Sequence, residues 1–213
     1  MGAAFRALRV KSRTEFDWCI EHLTHETFRA RDHWDTWKAL DKSFKQYAVE
    51  LNLTPHFWNL TRRAHQDMVI LRLGRLYDPH PTAISLGTLL ATMKQHAGTT
   101  APQFPLGVTK LDRAKFDPEM MSVSDSDPAV KNLLALRNEY LAHRGFQHVA
   151  KGTFKQLPTL GRRDIAKLIN RAIGIVGKYR HRLGYPPLGW GNYEGRDVNT
   201  LLVLLRTGRR APA

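Results

Sequence analysis

From Thr14 onward, apolar residues recur at three- and four-residue intervals, the period of a helix that buries one face. Phe16, Ile20, Leu23 and Phe28 mark one such face, and Trp34, Trp37, Leu40, Phe44 and Tyr47 continue it. The pattern predicts a helical region from about Thr14 to Leu51, with a break near Arg31 to Trp34. Thr54 reads as an N-cap with Pro55 at the first helical position. The helix after it runs through Leu60, Met68 and Leu71 to Tyr77 and stops before Asp78-Pro79, because the residue preceding a proline avoids the helical region. Ser85 caps a shorter helix reaching about His96. Between Gly98 and Ser126, prolines, glycines and a Ser/Asp-rich stretch predict a long loop. Asp127-Pro128 opens the next helix, and Gly145 is placed to close it as a left-handed C-terminal cap. A basic helix follows from roughly Arg162 to Leu183, broken by Gly184-Tyr-Pro-Pro, and a last short helix covers about Asp197 to Arg206.

No sustained apolar/polar alternation and no Asn-Gly or Asp-Gly turn argues for strands. The expected fold class is all-α, a bundle of about five to seven helices with a long loop around residues 98–126. Residues 14–206 are expected to form a single helical domain. Residues 1–13 are read as a disordered N-terminus and residues 207–213 as a basic flexible tail.

Composition narrows the class. With 42% hydrophobic and 24% charged residues, the 213-residue chain reads as globular. Its longest apolar run, Leu201 to Leu205, is too short to span a bilayer, so no membrane partner is expected. Met1 to Arg13 is basic but lacks the continuous apolar region of an export signal. The single cysteine, Cys19, rules out an intramolecular disulfide and a multi-cysteine zinc site, and together these features predict a cytoplasmic protein. The net charge of +14 is unevenly placed. Residues 137–213 carry 15 lysines and arginines against 4 acids, while residues 1–136 carry 18 against 15. Such a field attracts a polyanion, nucleic acid before an anionic membrane surface.

The helix opened by Asp127 carries the candidate chemistry. Val130, Leu133, Leu134 and Leu141 fall on one apolar stripe, and Arg137 occupies the same stripe seven residues after Val130. A guanidinium cannot shed its charge, so there it needs an internal acid, a subunit interface or a substrate phosphate. The structural ion pair and the phosphate site stand as equal readings. His143 lies six residues on, about 9 Å along the axis and about 120° around it, where the negative end of the helix favours the imidazolium.

The stretch Leu136 to Arg144, LRNEYLAHR, resembles the signature of the HEPN superfamily: an Arg, a polar residue after it, and a His near a helix end. It is similar to the HEPN branch found in abortive-infection proteins of the U type. Arg75-Leu-Tyr-Asp78 and the following Ser85-Leu-Gly-Thr-Leu-Leu share that likeness, which covers most of residues 55–205. The resemblance implies a HEPN-like bundle that forms a homodimer with a composite active site, each protomer supplying an Arg–His pair. It implies an endoribonuclease that needs no metal or other cofactor, cutting RNA to 2′,3′-cyclic phosphate and 5′-hydroxyl ends, as a toxin or phage-defence effector with an antitoxin partner. In that reading His143 is the general acid or base, Arg137 stabilises charge on phosphorus, Asn138 orients His143 or a phosphate oxygen, and Arg144 holds the RNA backbone. Gly145 stands where some relatives carry a tyrosine that accepts AMP, so that form of control is not expected. The alternative is a non-catalytic module that binds RNA or a partner.

Other candidates each carry a plainer reading beside the functional one. Arg75 and Asp78 straddle a helix end and could line the cleft of Arg137, with Asp78 as its counter-ion; a simple helix stop explains them too. Arg162, Arg163, Lys167 and Arg171, with Lys178 and Arg180, form either an RNA-tracking face or a solvated basic helix. Trp34, Trp37, Phe57 and Trp58 could stack bases, though aromatics at helical spacing usually pack a core. His22 and His25 with Glu21 and Glu26 have a spacing that could hold a metal, but a solvated helix face accounts for them better, and no metal is expected.

Overall fold

The computed structural model describes residues 5–138, 159–187, 189 and 196–210; every described element is helical, and no strand occurs among these residues. In order the helices are α1 (Arg13–Gln46), α2 (Ala48–Leu51), α3 (Pro55–Leu76), α4 (Leu86–His96), α5 (Leu106–Thr109), a 3₁₀ turn (Arg113–Lys115), α6 (Phe116–Ser122), α7 (Pro128–Leu136), α8 (Arg162–Arg182) and α9 (Arg196–Arg210). The chain divides into two compact units, one from residues 1–27 and 70–189 and the other from residues 28–69 and 190–213. None of these helices is long and apolar enough to cross a membrane.

The first unit is built on α4. Ser85 caps it with a reciprocal Thr88 hydrogen bond, and every residue from Leu86 to Met93 is buried. A helix that is buried all round must be covered on several sides, and α6 and α8 both pack on it while α7 packs on α8. Tyr77 is fully buried and donates to the Leu168 carbonyl oxygen at 2.7 Å, which ties the end of α3 to α8. Phe116 of α6 stacks on Tyr179 of α8, with ring centroids 5.6 Å apart. Residues 5–12, in the stretch read from sequence as disordered, are anchored on α4. The Phe5 ring fills the space over Gly87, and the Leu8 N–H donates to Thr92 Oγ1.

Within the second unit, Leu40, Tyr47, Leu51, Trp58 and Leu202 form a buried cluster, with Phe44 and Val198 packed against it. Tyr47 donates to Asn199 Oδ1, and Arg206 lies over the Tyr47 ring while its Nε donates to Glu50 at 3.0 Å. Trp34, Trp37 and Trp58 are buried, as the core reading requires, whereas Phe57 is exposed.

Three expectations are corrected. The break near Arg31 to Trp34 does not occur: α1 continues through it. Asp35 receives Arg31 one turn before it and Lys38 one turn after, and Trp34 packs edge-on against Trp37, so side-chain pairs support the backbone there. The long loop at 98–126 also contains α5, the 3₁₀ turn and α6. Asp112 caps the turn by accepting from the Ala114 N–H, and Pro118 sits in the first turn of α6, where it removes no helical hydrogen bond. Buried Phe116 and the Glu119 pair with Lys178 and Tyr179 then hold this segment to α8. Finally, α9 runs to Arg210 rather than stopping near Arg206.

Candidate active site

Helix α7 is fixed at its start by Asp127. One carboxylate oxygen accepts from the Ala129 and Val130 N–H groups, the other from Arg171 at 2.7 Å and Lys167 at 3.3 Å. Burial pushes this carboxyl up, but the Arg171 hydrogen bond and charge, with the two amide donors, hold it below the usual carboxylate range. Arg171 also donates to the Ser122 carbonyl oxygen. Two of the cations predicted to track RNA, Lys167 and Arg171, are therefore gathered at the N-terminal end of α7.

Arg137 stands at the other end, about 15 Å along the axis, where the backbone passes from α to π geometry at Arg137 and Asn138. Its stripe neighbours Val130, Leu133 and Leu134 are buried. Its aliphatic stem lies against Gly74 of α3 so closely that a Cβ at Gly74 would come within 2.4 Å of Arg137 Cδ. Beyond that notch the guanidinium makes three hydrogen bonds. Nη1 donates to the Gly74 carbonyl oxygen at 2.7 Å and to Asp78 Oδ2 at 2.8 Å, and Nε donates to Asn138 Oδ1 at 2.9 Å. Gly74 lies in the last turn of α3, where carbonyl groups lack intrahelical donors and a cation is favoured by the helix dipole.

Asp78 is thus the counter-ion of Arg137, and its other oxygen accepts from the His80 N–H at 2.9 Å, which turns the chain away from α3. The pair is not sealed: the side chains retain 18% (Arg137) and 25% (Asp78) of their exposure. Nη2 of Arg137 has no hydrogen-bond partner among the described residues. A guanidinium held at two nitrogens with the third open can take an oxyanion without first being ordered.

The remaining predicted residues are dispersed. Arg75, next to Gly74, is exposed and lies 3.8 Å from buried Glu26, whose Oε1 also accepts from Arg72 at 2.5 Å. Arg162 and Arg163 are exposed in the first turn of α8. Asn138 accepts from the Arg137 Nε through its Oδ1. His143, Arg144 and Gly145 lie outside the described residues. His22 and His25 are exposed while Glu26 turns inward to Arg72, and no cluster of three metal-ligating side chains forms among the described residues.

Gly74 was not singled out from sequence. A glycine inside a helix signals only local weakness until the side chain that needs its missing Cβ is known. No curated protein and no solved structure matches the chain. A family model, HEPN_AbiU2 (described as AbiU2), matches residues 14–201, taking in the aromatic N-terminal helix that the likeness over residues 55–205 had left aside. The chain belongs to the AbiU2 family of HEPN domains.

Proposed function

We propose that the protein is a metal-independent endoribonuclease of the HEPN type, acting in the cytoplasm as an abortive-infection or toxin-like effector. The observation that carries the reading is Arg137, fixed by Gly74, Asp78 and Asn138 with no partner for Nη2 among the described residues, six residues before His143. In this mechanism a ribose 2′-hydroxyl attacks the adjacent phosphorus and the P–O5′ bond breaks. The products are a 2′,3′-cyclic phosphate and a 5′-hydroxyl. His143 takes the proton from the 2′-hydroxyl or delivers one to the leaving 5′-oxygen, and Arg137 Nη2 binds the phosphoryl oxygen as its charge grows. A homodimer places two such pairs in one cleft, Arg144 holds the RNA backbone, and an antitoxin partner restrains the activity.

The Asp78–Arg137 pair favours a second reading. Arg137 can be a structural residue joining α3 to α7, in a bundle that binds RNA or a partner without cutting it. Purified protein incubated with mixed RNA separates the two. Cleavage by wild type that falls at least about a hundredfold in both Arg137→Ala and His143→Ala supports catalysis. Cleavage that survives both substitutions removes the nuclease mechanism. Salt-sensitive binding without cleavage in any variant leaves the binding module.

A further inference from the structure

The loop that begins at Asp78 also forms one wall of a cavity of about 680 Å³, between residues 6–10, the first turns of α1 and residues 81–84. That volume suits a small ligand. Trp18 lines it and is 63% exposed, whereas Trp34, Trp37 and Trp58 are each 6% exposed. Packing accounts for those three and not for Trp18. Arg6 and Arg9 line the same cavity, both exposed, and neither makes an ion pair with a described residue. By contrast Arg13, Arg31, Arg72, Arg137, Arg171 and Arg206 each hold a carboxylate. Among the described residues Glu15 is the only acid on the wall, and its Oε2 accepts from the Lys11 backbone N–H at 2.7 Å.

An open indole beside two uncommitted guanidinium groups suits a base and its phosphate. Position adds to chemistry. Two residues separate Asp78 from Pro81, three Cα steps that span at most about 11 Å, so the cavity lies close to the carboxylate that holds Arg137. The arginines are presented by a fixed segment, since Phe5 and Leu8 anchor it to α4 on either side of Arg6.

We infer that this cavity is a nucleotide subsite that stacks one base of single-stranded RNA on Trp18 and grips its phosphate with Arg6 and Arg9, beside the phosphodiester held at Arg137. As an RNA subsite it rests on the proposed function, but its ligand chemistry does not require cleavage. The test uses the whole chain and a fluorescein-labelled hexanucleotide with 2′-O-methyl riboses, which cannot be cut because the attacking hydroxyl is blocked. In fluorescence polarisation, Trp18→Ala and the double variant Arg6→Ala/Arg9→Ala weaken binding about tenfold or more, while Trp18→Phe retains most of it. Gly87→Ala displaces the Phe5 anchor and weakens binding without touching the cavity walls. A parallel titration with AMP and CMP, read from the Trp18 indole N–H resonance, separates free nucleotide from RNA as the natural ligand. Binding unchanged within twofold in both Ala variants overturns the subsite, as does a wild-type protein that binds neither RNA nor mononucleotide. Trp18-dependent binding in a protein that never cleaves RNA sinks the nuclease reading and leaves the subsite standing.

Discussion

An alanine at Gly74 ought to stabilise α3, because Gly costs roughly 1 kcal/mol against Ala inside a helix. The contact with Arg137 opposes that gain. The new Cβ would fall 2.4 Å from Arg137 Cδ and 3.1 Å from Cγ, on the stem of the side chain rather than its mobile tip. Arg137 must swing away and give up the Gly74 carbonyl and Asp78. Gly74→Ala is therefore expected to melt within a few degrees of wild type yet lose RNA cleavage about as fully as Arg137→Ala; thermal melting and a cleavage assay on the same preparation check both halves. Full activity in Gly74→Ala would show that Arg137 does not work from the position described. This residue pair also marks how far the sequence could be read. Arg137 stood out because a permanent charge interrupts an apolar stripe, and Asp78 was legible as a counter-ion beside a helix stop. Gly74 was silent, since its meaning lies in a neighbour 63 residues away.

At the level of single helices, start signals were the most legible feature. Pro55 opening α3, Ser85 before α4 and Asp127-Pro128 before α7 all rest on local hydrogen-bond chemistry that the sequence displays directly. What was missed depends on partners distant in sequence. Phe116 and Glu119 keep α6 helical by packing on α8, and no window of a few residues contains that information. Asp127 joins both kinds of support, as cap of α7 and acceptor for two cations of α8. Removing it costs the cap, about 1 kcal/mol, and leaves the largely buried Arg171 without its carboxylate. Asp127→Ala should destabilise by about 2–3 kcal/mol in all, a fall of roughly 5–10 °C in melting temperature. The pH dependence follows from linkage. The Asp127 pKa is lower folded than unfolded, so its stabilisation is complete above about pH 5 and drains away as pH falls through the carboxylate range and below. Melting curves from pH 7 to pH 3 should show the gap between wild type and Asp127→Ala closing on the acid side. A gap that stays constant over that range would mean the carboxylate is not the group at work.

For the molecule as a whole, the 15 lysines and arginines against 4 acids in residues 137–213 pointed to an anionic partner, but that segment's count overstates a basic face, because Lys167, Arg171, Arg137 and Arg206 each answer an acid from residues 1–136. A count taken along the chain cannot see which distant acids the fold brings to those cations. The same restriction applies to assembly. If one cleft takes its arginine from one protomer and its histidine from the other, two inactive variants can repair each other. Mixing Arg137→Ala with His143→Ala, after unfolding and refolding them together, makes about half of the dimers mixed, and each mixed dimer keeps one intact Arg–His pair of its two. Activity should return to about a quarter of wild type from two preparations that are each silent. Light scattering on the same mixture tests the premise. A dimer whose mixture stays silent places the working pair within one chain, and a monomer with full activity removes the composite cleft altogether. The choice is physical: on a regular helix two side chains six residues apart point about 120° away from each other, so an arginine and a histidine at that spacing reach one phosphate only through a partner's helix or a change in helical geometry. The π geometry at Arg137 and Asn138 is the local alternative to a second subunit, and repair by mixing decides between them.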